Sequence, residues 1–425
     1  MTKRHSILRR TAAVCAAFAA GTALTTLTAL PAEAATAPHP LQTRLSLPEP
    51  GGRFAVGSVA LHLVDPSRPD PWRPGKASRE LMVSVFYPSP RPGDRPAAPY
   101  MLPAAAAHFD AVTVNDFLGL RLPTGQADWA GAVTHAVTAA PAVPVTGRGL
   151  PVLIYSPGLG EPRTWGTTLV EDLASRGYVV VTVDHTYESP EVQFPDGSLA
   201  TMVAPGDPDG FLSKALSVRT DDTRFVLDQL ALLDSGRSPD ADGLRLPPGL
   251  AGTLDLTRVG MFGHSMGGTA AAVTMAAEPR IAAGVNLDGN LTHFDGTPIP
   301  VAENGLDRPF LLVGKDGKTD TGPGWTTFLS NTKGWARQLL LRGSQHASFT
   351  DAEALLPQLG LDPAVREADI GTIEPRTAIR TQEAYVAAFF DRWLRDRDDH
   401  LLDGPSPAYP AMAFVGEGGA STAHR

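Results

Sequence analysis

The segment Val259-Gly260-Met261-Phe262-Gly263-His264-Ser265-Met266-Gly267-Gly268 holds the residues best spaced for chemistry. A Gly-x-Ser-x-Gly pattern between an apolar run and a helical run places its serine on a sharp strand-to-helix turn. The dihedral angles of such a turn are strained, and side chains two positions before and after the serine would collide with neighbouring backbone, so both positions call for glycine. A helix N-terminus behind the serine favours negative charge developing there. A serine so placed is suited to attacking a carbonyl carbon, provided a base takes its proton.

In this arrangement the partners of the serine follow it in the order acid, then histidine. Four histidines follow Ser265: His293, His346, His400 and His424. His424 lies at the chain terminus and His400 follows the last helical pattern. His293 sits in an irregular loop. His346, in Arg342-Gly343-Ser344-Gln345-His346-Ala347-Ser348-Phe349, directly follows a strand pattern and is the expected base. The acid must accept a hydrogen bond from the imidazole and hold its tautomer. Asp288 ends one strand pattern, and Asp316, with Asp320 shortly after, follows the next. Pattern alone leaves these open. Asp184-His185 also ends a strand pattern, but it precedes the serine and is expected to be structural or to line a pocket.

The elements that must position these groups show a regular rhythm. Residues 150–155, 179–183, 258–262, 281–287, 309–314 and 338–341 are short apolar runs of the kind found in buried parallel strands. Helical spacing at 164–176, 213–233, 266–277 and 381–397 separates or follows them. Such alternation implies an α/β architecture, a mostly parallel sheet covered by helices on both faces. Two strand patterns, 56–63 and 81–87, come earlier. Residues 98–145 read as an inserted cap-like region, with Phe117, Leu118 and Trp129 as candidate pocket lining. The expected layout is a signal peptide at 1–34, a flexible lead-in at 35–55, a single catalytic domain at 56–400 and a C-terminal tail at 401–425.

The N-terminus reads as an export signal: basic Lys3, Arg4, Arg9 and Arg10, an apolar run from Thr11 to Leu30, and the cleavage pattern Ala32-Glu33-Ala34. The expected product is secreted, without a stable membrane anchor. The single cysteine, Cys15, falls inside the signal, so thiol catalysis, disulfides and cysteine metal sites are excluded for the mature chain. Net charge is −9; removing residues 1–34 leaves 32 basic against 44 acidic side chains, a balance of −12 that disfavours nucleic acid as a partner. No metal or organic cofactor is called for.

Three segments resemble the platelet-activating factor acetylhydrolase family of α/β-hydrolases. Tyr155-Ser156-Pro157-Gly158-Leu159-Gly160 is similar to its oxyanion loop, Gly263-His264-Ser265-Met266-Gly267-Gly268 to its nucleophile elbow, and Arg342-Gly343-Ser344-Gln345-His346 with Phe349 to its histidine loop. Pro157 stands where the family usually has histidine. The resemblance implies the α/β-hydrolase fold, oxyanion donors from the backbone of Leu159 and Met266, and an acid at the Leu-Asp that ends the strand after the nucleophile helix, here Leu287-Asp288. It implies ester hydrolysis on short-chain phospholipids or other lipid esters. The elbow is also usual in bacterial cutinases, polyester hydrolases that place the acid later, so Asp316 or Asp320 stays the rival. A non-catalytic binding protein of the same fold is the remaining alternative.

Overall fold

The computed structural model describes residues 42–416, apart from 91, 92, 117, 121, 204, 205 and 321. The expected signal at 1–34, Phe117 and His424 therefore lie outside the described residues. The strands are β1 (Thr43–Ser46), β2 (Ala55–Asp65), β3 (Arg79–Ser89), β4 (Ala127–Val133), β5 (Ala136–Thr138), β6 (Leu150–Ser156), β7 (Val179–Asp184), β8 (Glu191–Gln193), β9 (Leu199–Thr201), β10 (Leu254–His264), β11 (Ile281–Leu287), β12 (Phe310–Gly314), β13 (Ala336–Leu341) and β14 (Met412–Phe414). The main helices are α1 (Pro103–His108), α2 (Thr167–Ser175), α3 (Pro208–Asp234), α4 (Met266–Ala277) and α5 (Pro375–Arg395).

Ten strands form one sheet in the order β14-β13-β12-β11-β10-β6-β7-β3-β2-β5. From β7 through β13 neighbouring strands are parallel, while β2 and β3 pair antiparallel, as do β3 and β7. The chain runs outward from β6 to β7, then returns to the other side of β6 as β10. That switch leaves the carboxyl ends of β6 and β10 side by side, where ligands bind in open parallel sheets. The central strands are apolar on both faces because both are covered. Val152, Ile154, Val181 and Met261 pack on the side of α3 and α4, and Leu153, Tyr155, Val180 and Phe262 on the side of α2 and α5. Local chemistry starts the two long helices: Asp207 caps α3 by accepting from Gly210 N, Glu374 caps α5 by accepting from Arg376 N and Thr377 N, and each has proline in its first turn.

Three expectations about the chain's margins change. Residues 42–55 of the expected flexible lead-in are built into the fold: β1 pairs in parallel with β4, and Leu45 and Leu47 are buried against Tyr100, Phe109, Trp129 and Trp165. The many prolines there hide two leucines that find an apolar partner surface. The expected tail contributes β14, an antiparallel edge strand on β13 with Met412 buried. The region 98–145 packs as a satellite cluster. Trp129 is 2% exposed, rests on Phe109 and Trp165 at 4.8 and 6.3 Å between ring centroids, and donates from Nε1 to Asp110. Leu118 packs on the same cluster. Neither lines the cavity at Ser265.

Candidate active site

Ser265 sits between the end of β10 and the start of α4 with φ 53° and ψ −125°. A positive φ of this kind costs a non-glycine residue roughly 1–3 kcal/mol and persists only where the surroundings enforce it. They do. Ser265 N donates to Leu287 O at 2.8 Å, and its carbonyl accepts from Gly268 N at 2.9 Å. A Cβ at Gly263 or at Gly267 would collide with the same atom, the carbonyl oxygen of Ser156. The steric reason for the two glycines is therefore the end of β6, packed directly against the turn.

His346 follows β13 and opens a single 3-10 turn. Its Nε2 lies 3.0 Å from Ser265 Oγ, and its Nδ1 lies 2.6 Å from Asp288 Oδ2. The imidazole is half exposed, while the Asp288 side chain is buried at the end of β11. Asp288 Oδ1 accepts from Thr319 Oγ1 at 2.5 Å and from Lys315 N at 3.0 Å. Burial raises the Asp288 carboxyl, but the His346 hydrogen bond and charge, with Thr319 and the Lys315 amide, outweigh it and hold the group below the usual carboxylate range. The rival acids are engaged elsewhere. Asp316 is exposed and accepts from Gly343 N at 2.7 Å, and Asp320 accepts from Leu291 N and Trp325 N. Among the other histidines, His293 approaches Asp209 and His400 pairs with Asp403 in the open.

The loop after β6 reaches the same place. Leu159 and Met266 line the cavity at Ser265, and neither amide has a backbone partner among the described residues. Pro157 does not leave this loop adrift. Buried Arg219, from α3, donates through Nη1 to Pro157 O at 2.5 Å and to Ser156 Oγ at 3.0 Å, and through Nε to Glu188 at 2.8 Å. Glu161 accepts from Gly158 N at 2.7 Å. Sequence reasoning missed both groups. Arg219 lies 62 positions beyond Pro157, and an arginine inside a helical pattern carries no local mark of so distant a target.

A second serine–histidine–aspartate relay lies behind the loop. Ser156 Oγ is 3.0 Å from His185 Nε2, and His185 Nδ1 is 3.0 Å from Asp222 Oδ2. All three residues are buried, and Asp222 also binds Arg79 through two hydrogen bonds. Burial, with the charge of Arg219, pushes His185 down to about 4, so its imidazole stays neutral. Enclosed in this way, the relay fits the structural role expected of Asp184-His185. Asp184 itself pairs with Arg163.

The cavity at Ser265 measures about 200 Å³ and is walled by Leu159, Phe211, Leu212, Met266, Thr292 and Phe294. Leu159 and Phe294 are 37% and 56% exposed and form an apolar rim. Among the described residues the remaining wall thus comes from α3 and the loop after β11, not from the region 98–145.

Comparison with known proteins defines the class. The family model described as "Platelet-activating factor acetylhydrolase, isoform II" matches residues 42–195. A protein of Arthroderma benhamiae named "Probable 1-alkyl-2-acetylglycerophosphocholine esterase" is 30% identical over 402 residues, covering 87% of this chain and 93% of that one. The platelet-activating factor acetylhydrolase of Cavia porcellus is 25% identical over 57% of this chain and 55% of its own length. Among solved structures, a ferulic acid esterase from Streptomyces cinnamoneus is similar at 36% identity, with a TM-score of 0.67, over 87% of this chain and 99% of that one. The chain is a serine carboxylic-ester hydrolase of the α/β-hydrolase fold. It belongs to the platelet-activating factor acetylhydrolase family.

Proposed function

We propose that the chain hydrolyses esters of short acyl groups through Ser265, His346 and Asp288. The observation that carries this is the continuous hydrogen-bond chain from Asp288 through His346 to Ser265 Oγ, ending in the cavity walled by Leu159 and Phe294. Asp288 holds the His346 proton on Nδ1, which leaves Nε2 to take the Ser265 proton as Oγ attacks the ester carbonyl. The amides of Leu159 and Met266 receive the oxyanion; removing one such donor typically costs about 3 kcal/mol. His346 then protonates the leaving alcohol and activates the water that releases the acid.

The family and the cavity support this substrate class: among the described residues the cavity has room for a small acyl group and no charged wall residue. A glycerophospholipid with a short acyl chain is the leading candidate. A hydroxycinnamoyl ester is a second reading, favoured by the likeness to the ferulic acid esterase and by Phe211 and Phe294 in the wall. We further propose export through residues 1–34, tested by the N-terminal sequence of protein recovered from culture medium. Fluorophosphonate labelling at Ser265, followed by rates on a 2-acetyl glycerophosphocholine, on methyl ferulate and on p-nitrophenyl esters of rising chain length, tests the function. An unlabelled Ser265 in folded protein removes the mechanism. A preference that rises with chain length removes the short-acyl assignment.

A further inference from the structure

His264, inside the elbow, is fully enclosed and bonded at both ring nitrogens. Nδ1 lies 2.8 and 3.1 Å from the two carboxylate oxygens of Glu161, and Nε2 lies 2.9 Å from the carbonyl oxygen of His346. Its ring packs on the His346 ring, with 4.5 Å between centroids. A carbonyl oxygen only accepts, so Nε2 must carry a proton. Glu161 also accepts from Gly158 N at Oε2; burial raises its carboxyl, but the charge and hydrogen bond of His264 and the Gly158 amide outweigh it and hold the group below the usual glutamate range, so Nδ1 faces a carboxylate and donates to it.

We infer that His264 is a positioning residue, a buried imidazolium that ties the loop of the base to the oxyanion loop. Its Nε2–H holds the backbone of His346, and its Nδ1–H holds Glu161, which in turn fixes Gly158 beside Leu159. This role rests on the proposed functions of Ser265, His346 and Leu159. The titratable groups that face His264 are Glu161 from the loop after β6, His346 from the loop after β13 and Asp288 from the end of β11. Burial works against the charge, but Glu161 and Asp288 outweigh it and raise His264 above the ordinary histidine value. Loss of one proton at high pH removes one of the two ties, so the base and the oxyanion loop lose their common anchor.

The test is the pH dependence of kcat and KM on p-nitrophenyl acetate for the unmodified protein, His264→Gln and Glu161→Gln. The unmodified enzyme is expected to show an alkaline loss of kcat. His264→Gln should lower kcat about 10²-fold with KM little changed, the scale of a small misplacement of reacting groups, and should abolish the alkaline limb. Glu161→Gln should move that limb to lower pH. A purely structural role would lower kcat without moving the limb. ¹⁵N-histidine NMR of the unmodified protein is the second measurement, and it should find both His264 nitrogens protonated at neutral pH. A single proton there, with Glu161 carrying the other, overturns the inference, as does an unchanged alkaline limb in His264→Gln. Ser265→Ala separates the two readings. Full activity in that variant removes the proposed mechanism, whereas an inactive Ser265→Ala beside an unaffected His264→Gln removes only the role of His264.

Discussion

Replacing Asp288 by asparagine separates the three candidate acids. Asparagine keeps a carbonyl oxygen for Thr319 and the Lys315 amide, so the loop after β12 retains its anchor. The NH₂ then faces His346 Nδ1 at the position where the carboxylate now sits 2.6 Å away. A donor there turns Nδ1 into an acceptor and moves the ring proton to Nε2, which can no longer take the proton of Ser265 Oγ. Asp288 is 3% exposed, so solvent does little to screen the lost charge. The expected loss in kcat is about 10³- to 10⁴-fold, or about 4 to 5.5 kcal/mol of transition-state stabilisation. Asp316→Asn should stay within about threefold, because its carbonyl still accepts from Gly343 N on an exposed loop. Asp320→Asn sets an NH₂ against one of two backbone donors, Leu291 N or Trp325 N, and should cost about 1–3 kcal/mol of stability with kcat little changed. Rates on p-nitrophenyl acetate, with urea unfolding of each variant, measure both quantities. A folded Asp288→Asn protein of near-normal kcat, or a large kcat loss in Asp316→Asn or Asp320→Asn alone, refutes the assignment.

The same substitution carries a pH signature. Asp288 is held below its ordinary value, so its contribution to stability is present above the unfolded value and is lost as pH falls through the folded one; Asp288→Asn should flatten the acid side of a urea-midpoint profile. Glu171 behaves in the opposite sense. Burial pushes it up to about 7, so the native state keeps a proton that the unfolded chain releases, and stability should fall as pH rises from the ordinary glutamate value to about 7. Glu171→Gln keeps an acceptor for Ala136 N and should remove that slope, as thermal melts across the range would show. Arg219→Ala leaves Glu188 buried without its cation and should destabilise by about 3–5 kcal/mol, read as a lower urea midpoint. Gly267→Ala places a methyl against Ser156 O and should abolish soluble expression or activity, whereas an active, folded variant would show that the turn can open.

The rhythm of apolar runs is enough to place the sheet from β6 to β13, because strands covered on both faces have little freedom in composition. Helix α4 and strand β11 match their expected limits, 266–277 and 281–287, since glycine and charge changes bound them sharply. The margins are not legible in this way. The strands β1 and β14 are short edges whose apolar residues mean nothing until a partner surface exists. Residues 98–145 read as a pocket lid because of their aromatics, yet Phe109 and Trp129 pack on each other and Trp129 on Trp165.

The elbow shows the same division. Gly263, Ser265 and Gly267 are readable because a strained turn admits so few residue types. His346 is readable from its place after a strand. Asp288 could be preferred only through a resemblance, because Asp316 and Asp320 also follow a sheet strand. Which carboxylate faces an imidazole depends on where separate strands end, and that is a property of the packed sheet. The described residues also hold two serine–histidine–aspartate relays. Only the tertiary structure separates them, by enclosing Ser156, His185 and Asp222 among buried arginines and leaving Ser265 open to the cavity. Residue type determined what chemistry was available, and burial decided which set can meet a substrate.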